Sequence, residues 1–171
     1  MSGSVPPVST DFLLLIGRIV IAWSKLERAL DLTVLSGRPL IPSHFEKGPP
    51  RTLSPKLKAL RSLCKKLAVF SERHPWVEQC IGEVKAMAED RHTIIHGFFH
   101  GISGEQEPQI YFRRAPPMSG EAGKRLLATR LELGNFVQRL EKSESDFRVM
   151  RLMVVQEMGH RRARDVGQAT N

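Results

Sequence analysis

Apolar residues recur at spacings of three and four near the start of the chain. Ile16, Ile19, Val20, Trp23, Leu26, Leu30 and Val34 form one stripe on a helical repeat. The stripe predicts a first helix, opened by Thr10 or Asp11 as cap. It stops near "SGRP", where Gly37 can close the C-terminus and Pro39 blocks continuation. The run "FLLLIGRIVIAW" is twelve residues long and contains Gly17 and Arg18. A membrane-spanning helix needs roughly twenty apolar residues, so this run reads as a buried amphipathic helix with no membrane role.

Residues 38–52 carry four prolines and a glycine and read as a connector. A second helix is predicted over 54–71, with Ser54 as cap and Pro55 at the first helical position. Its apolar face is Leu57, Leu60, Cys64 and Leu67, while Lys58, Arg61 and Lys65 line another face. A third helix follows over 76–96, marked by Trp76, Cys80, Val84 and Met87 and ended by Gly97. The short aromatic and β-branched segments "FFHGIS" and "PQIYFR", on either side of "GEQE", predict a β-hairpin that must pack on helices.

"APPMSGE" leads into a last helix whose start Ser119 and Glu121 suit. Leu126, Leu127, Leu131, Leu133, Phe136, Val137 and Leu140 form its broad apolar face. The pattern resumes at Phe147, Met150, Met153, Val154 and Met158, and both a continuous helix and a break near Ser143–Ser145 fit it. The expected fold class is all-α. It is an up-down helical bundle of four to five helices with a small β-hairpin after the third. Residues 1–10 are expected to be a flexible tail, 11–160 one helical domain, and 161–171 a basic, polar tail that frays. The wide apolar faces of the first and last helices suit coverage by a second subunit, so a homodimer is expected.

Composition adds a partner class. The chain has 171 residues, 41% of them hydrophobic, which is enough for a real core and too much for a disordered chain. Its formal charge is +8, which favours polyanions, with nucleic acid ahead of an acidic membrane surface. Along one face of the second helix, Lys58, Arg61 and Lys65 suit either simple solvation or phosphate contact. Cys64 and Cys80 form no CxxC and no paired framework, and read as reduced thiols of a cytoplasmic protein. The N-terminal "MSGSVPPVSTDF" lacks the basic-then-apolar order of a signal peptide.

Candidate chemistry gathers in "EDRHTIIHGFFHG", residues 89–101, which holds half of the six histidines. On a helix His92 and His96 lie about 40° apart, while Arg91 lies about 140° from His96. Arginine grips phosphate in a bidentate fork, and imidazole moves protons near neutral pH. HxxxH can also supply two metal ligands, but Thr93 stands where a hydrolytic HExxH has its glutamate. His100 lies beyond Gly97 as an uncertain third ligand, so no metal and no cofactor are expected. No GxSxG, Walker-type loop or GxGxxG occurs. The bland readings stay open: His96 as a cation at a helix C-terminus, Arg91 paired with Asp90, Glu89 or Glu27, and Trp23 as core.

"DRHTIIHG" resembles the signature of the HEPN superfamily (higher eukaryotes and prokaryotes nucleotide-binding domains). That signature is an arginine, a polar residue, and a histidine after four to six intervening residues. Arg91, His92 and His96 match its four-residue form. "IAWSKLERAL" resembles the first helix of several small bacterial HEPN-like proteins, and the resemblance covers residues 11–160. It implies a metal-independent endoribonuclease that works as a homodimer, with the two motifs meeting in a cleft. Toxin–antitoxin and phage-defence roles, and an antitoxin protein as partner, follow from the same resemblance. Arg91 would hold the scissile phosphate, His96 would act as acid–base group or orient the 2′-hydroxyl, and His92 would support the substrate or the arginine. Glu27 is a candidate positioning carboxylate for Arg91. The products would carry 2′,3′-cyclic phosphate and 5′-hydroxyl ends. Some relatives keep the fold without the chemistry, so a non-catalytic module for dimerisation or for binding RNA or a nucleotide is the alternative.

Overall fold

The computed structural model describes residues 9–96, 98–103, 109–113 and 125–169. Among these the fold is mostly α, with four helices: α1 (Thr10–Ser36), α2 (Leu53–Lys66), α3 (His74–His96) and α4 (Arg130–Ala169). Short 3-10 turns occupy Arg38–Leu40, Pro42–Phe45 and Ala68–Phe70. After α3 come three strands, β1 (Phe98–Ser103), β2 (Gln109–Arg113) and β3 (Arg125–Thr129), antiparallel in the order β1-β2-β3. The expected hairpin is therefore two strands of a three-stranded sheet. Gly97, the "GEQE" turn, Ser119, Glu121 and the tail residues 1–8 lie outside the described residues. No helix among the described residues is long and apolar enough to cross a membrane.

Contacts group the chain into two units. The first holds Met1–Trp23 and Val84–Glu141, the second Ser24–Glu83 and Lys142–Asn171. In the first, Ile19, Met87, Ile110, Phe112, Val137 and Leu140 are all buried. The sheet contributes through its pleat: Ile110 pairs with Ala128 and Phe112 with Leu126, and Ile110, Phe112 and Ala128 are buried. Leu127, opposite Tyr111 on the other face, is 47% exposed. The β1–β2 pairing slips between Phe99 and Gly101, which leaves His100 as the extra residue of a bulge. Asp11 at the start of α1 accepts from Arg130 Nη1 at 2.7 Å.

The expectation that residues 126 and 127 lie in the last helix is corrected here. Leu126 and Leu127 fit a helical stripe, but they alternate across a sheet instead. A reciprocal capping box sets the true helix start. Glu132 Oε2 accepts from the Thr129 backbone N–H at 2.8 Å, and Thr129 Oγ1 accepts from the Glu132 N–H at 3.1 Å. The helix then runs unbroken through Ser143–Ser145. It also continues through "GHRRARD", which was expected to fray. Glu157 holds Arg161 at 3.2 Å one turn on, and Arg161 Nη2 donates to the Lys66 carbonyl at the end of α2, at 3.0 Å.

In the second unit, Leu26, Leu30, Leu60, Leu63, Phe70 and Phe147 are fully buried. The buried Thr33 hydroxyl lies 2.7 Å from the Ala29 carbonyl and 2.9 Å from that of Phe147, which ties α1 to α4. Buried Lys56 reaches Asp31 at 2.8 Å. Helix α2 starts at Leu53 with Thr52 as cap, so Ser54 and Pro55 fall inside its first turn, where a missing N–H breaks no helical bond. The helix stops at Lys66, short of the expected 71, because Leu67 is extended and Ala68–Phe70 form a separate turn. Helix α3 starts at His74, with Pro75 likewise in the first turn.

Gly37 follows α1, but its backbone is not left-handed, with φ at −97°. It is required for space, since a Cβ there would stand 2.2 Å from Leu63 Cδ1. Gly37→Ala should therefore lower stability by about 1–3 kcal/mol, by overpacking against a buried leucine. Thr129→Ala, which removes one half of the capping box, should cost about 1 kcal/mol. Urea unfolding followed by circular dichroism measures both, and an unchanged midpoint would refute either assignment.

Candidate functional site

Arg91, His92 and His96 occupy the last turns of α3, in the first unit. Thr93 and Ile94 between them are buried, and the Thr93 hydroxyl donates back to the Glu89 carbonyl at 3.0 Å. This anchors one side of the final turns against the core. Arg91 and His92 fall at its margins, half-buried, and His96 is exposed.

The two imidazoles meet as their spacing requires. Their ring centroids are 4.7 Å apart with planes tilted by 48°. His96 closes the helix, where the carbonyl end of the dipole favours a cation. Arg91 takes another direction: its Cζ lies 5.6 Å from the centroid of Trp23, which is buried on α1 of the same unit. A guanidinium over an indole face is held by the ring quadrupole. Its Nε is buried without a hydrogen-bond partner among the described residues. Trp23 is thus core and cation platform together.

A cleft of about 260 Å³ in this unit is lined by Asp90, Ile94, Ala128, Leu133, Phe136 and Arg139, among others. Arg91, His92 and His96 do not line it. Among the described residues no group of three or more histidine, cysteine or carboxylate side chains could hold a metal ion. The side chain of His100 lies outside the described residues. Glu27, half-buried on α1, belongs to the second unit.

The basic stripe on α2 is in the second unit and does not act as one surface. Lys58 and Lys65 are exposed. Arg61 is held by Glu78 in a bidentate fork, Nε to Oε1 at 2.6 Å and Nη2 to Oε2 at 2.5 Å. That hydrogen-bonded guanidinium holds the Glu78 carboxyl below its ordinary range, with smaller help from His74 and Lys65. Arg61 therefore has a protein partner where phosphate contact was expected.

Sequence reasoning overlooked a second group of cations in this unit. Lys25 and Arg28 on α1 and Arg148 and Arg151 on α4 line one cleft. Each pair is spaced i, i+3, which was the available signal. Comparison with protein-family models, curated proteins and solved structures gave no match.

Both cysteines are buried free thiols. Burial, as the main cause, pushes each up to about 12, helped by Glu78 at Cys64 and by Asp146 at Cys80. Neither offers a thiolate nucleophile near neutral pH. In the native protein at pH 8 both should resist a chromogenic disulfide reagent, and both should react at once in denaturant. Rapid reaction of the native protein would overturn this.

Proposed function

We propose that the protein is a metal-independent endoribonuclease of the HEPN type, active as a homodimer in the cytoplasm. The observation that carries the reading is the Arg91–His92–His96 group at the end of a core helix, with its two imidazoles in contact. A transphosphorylation needs only these group types. A base removes the proton of the 2′-hydroxyl, whose oxygen attacks phosphorus. The bond to the 5′-oxygen breaks, and an acid returns a proton to that oxygen. A guanidinium steadies the charge that builds on the phosphoryl oxygens.

In this reading His96, the exposed imidazole, is the acid–base group. His92 supports the substrate or the arginine, and Arg91 holds the scissile phosphate. Trp23 fixes the arginine from below. The products are a 2′,3′-cyclic phosphate and a 5′-hydroxyl. An antitoxin protein is the partner this activity would call for in a toxin–antitoxin or phage-defence setting.

One observation favours a second reading. Arg91 is half-buried and packed on Trp23, which is also how a structural arginine behaves. A HEPN-like module that dimerises or binds RNA or a nucleotide without cutting it would look the same.

The test is cleavage of a mixed single-stranded RNA by purified protein in EDTA, with the ends identified by mass spectrometry. Cyclic phosphate products are expected. Arg91→Ala and His96→Ala, checked for folding by circular dichroism, should each slow cleavage about 10²-fold or more. Intact RNA with the wild-type protein defeats the nuclease reading, and salt-dependent binding without cutting supports the second.

A further inference from the structure

The cleft in the second unit has a volume of about 330 Å³, within the range of ligand sites. Lys25, Arg28, Arg148 and Arg151 line it, over a floor that includes Ala29 and Leu32. Among the described residues the only carboxylate in its wall is Glu144, which pairs with Arg148 one turn away. The side chains of Lys25, Arg28 and Arg151 make no ion pair or hydrogen bond among the described residues.

Its two walls are held together from beneath. The Thr33 hydroxyl, on α1, contacts the Phe147 carbonyl of α4 beside Arg148. This contact and the buried side chains around it oppose separation of the helices and so keep the cations close. Like charges confined to one concavity raise its potential and attract a multivalent anion. This contrasts with α2, where Arg61 is neutralised by Glu78.

We propose that this cleft binds the phosphodiester backbone of a nucleic acid, through Lys25, Arg28 and Arg151 with Arg148 at its edge. Three features select that ligand. The arginine fork matches phosphate oxygens in a bidentate manner. Among the described residues no aromatic side chain lines the cleft, and none of them offers a platform on which to stack a base. Leu152, 70% exposed at the rim, gives apolar surface for a sugar. Recognition is therefore sequence-independent and strongly salt-dependent. The assignment does not rest on the nuclease reading, since the cleft holds none of Arg91, His92 or His96.

The probe is a fluorescent single-stranded DNA of about twenty nucleotides, which spans a typical single-strand site. It lacks the 2′-hydroxyl, so binding is measured whether or not the protein cuts RNA. Anisotropy titrations across a salt series compare wild type with Arg28→Glu/Arg151→Glu. The double variant should bind at least tenfold more weakly, and its log–log salt slope should be shallower by about 1.4 for two lost contacts. Arg28→Lys/Arg151→Lys should keep most of the affinity. Lys47→Glu/Lys85→Glu changes net charge equally at residues that do not line the cleft and should have a much smaller effect.

Equal losses in both reversal variants would overturn the cleft as the site. So would unchanged affinity in Arg28→Glu/Arg151→Glu, with folding verified by circular dichroism. Displacement of the strand by polyglutamate of equal charge would overturn phosphate selectivity. Displacement by a nucleoside triphosphate or tripolyphosphate, far below the concentration of strand phosphates needed, would assign the cleft to a small phosphate ligand instead.

Discussion

Burial of Thr93 and Ile94 fixes the rotation of the last turns of α3, and the character of the candidate site follows from that rotation. With those two side chains held inward, a helix has no freedom to choose where their neighbours fall. Arg91 is carried to the edge of the core, where the indole of Trp23 receives its guanidinium. His92 and His96 are carried together. A polar threonine serves here because its hydroxyl donates a hydrogen bond to the carbonyl one turn back. A different phase would keep the two rings together, because they stand one turn apart on one helix, but would change how far the pair faces solvent.

The basic residues divide by the company they keep. Arg61 is neutralised by Glu78, Arg130 by Asp11, and Lys56 by Asp31. Arg161 supports the end of α2. These groups stabilise the fold and are poor candidates for a ligand, because binding one would first break an existing pair. A net charge of +8 thus overstates the surface open to polyanions. What stands free in the second unit is concentrated in the cleft between α1 and α4 and at scattered positions such as Lys58 and Lys65.

Much of this was readable from residue spacing, for physical reasons that also explain the failures. The stripe from Ile16 to Val34 announced α1 because a long helix repeats its period many times. The His92–His96 contact followed from the same period. Leu126 and Leu127 misled because two leucines ahead of Leu131 and Leu133 satisfy a helical spacing as well as a strand's. The decisive signal was nearby: Thr129 has a glutamate three residues on, as a capping box requires, whereas Ser119 has alanine at the same spacing. Gly37 was noticed only as the end of α1, since only the fold reveals that Leu63 fills the space beside it. Arg91 on Trp23, and the cleft of Lys25, Arg28, Arg148 and Arg151, join residues far apart in the chain. Periodicity within one helix carries no information about such meetings.

Thr129 is the last residue of β3 and also the cap of α4. No loop stands between sheet and helix to absorb an error. Sliding β3 by one residue against β2 would turn its side chains to the opposite face of the sheet. Through the shared threonine it would also tend to turn α4 by about 100° about its axis. Strand register and helix azimuth are thus geared together, and a single-residue insertion or deletion at this junction would be felt in both.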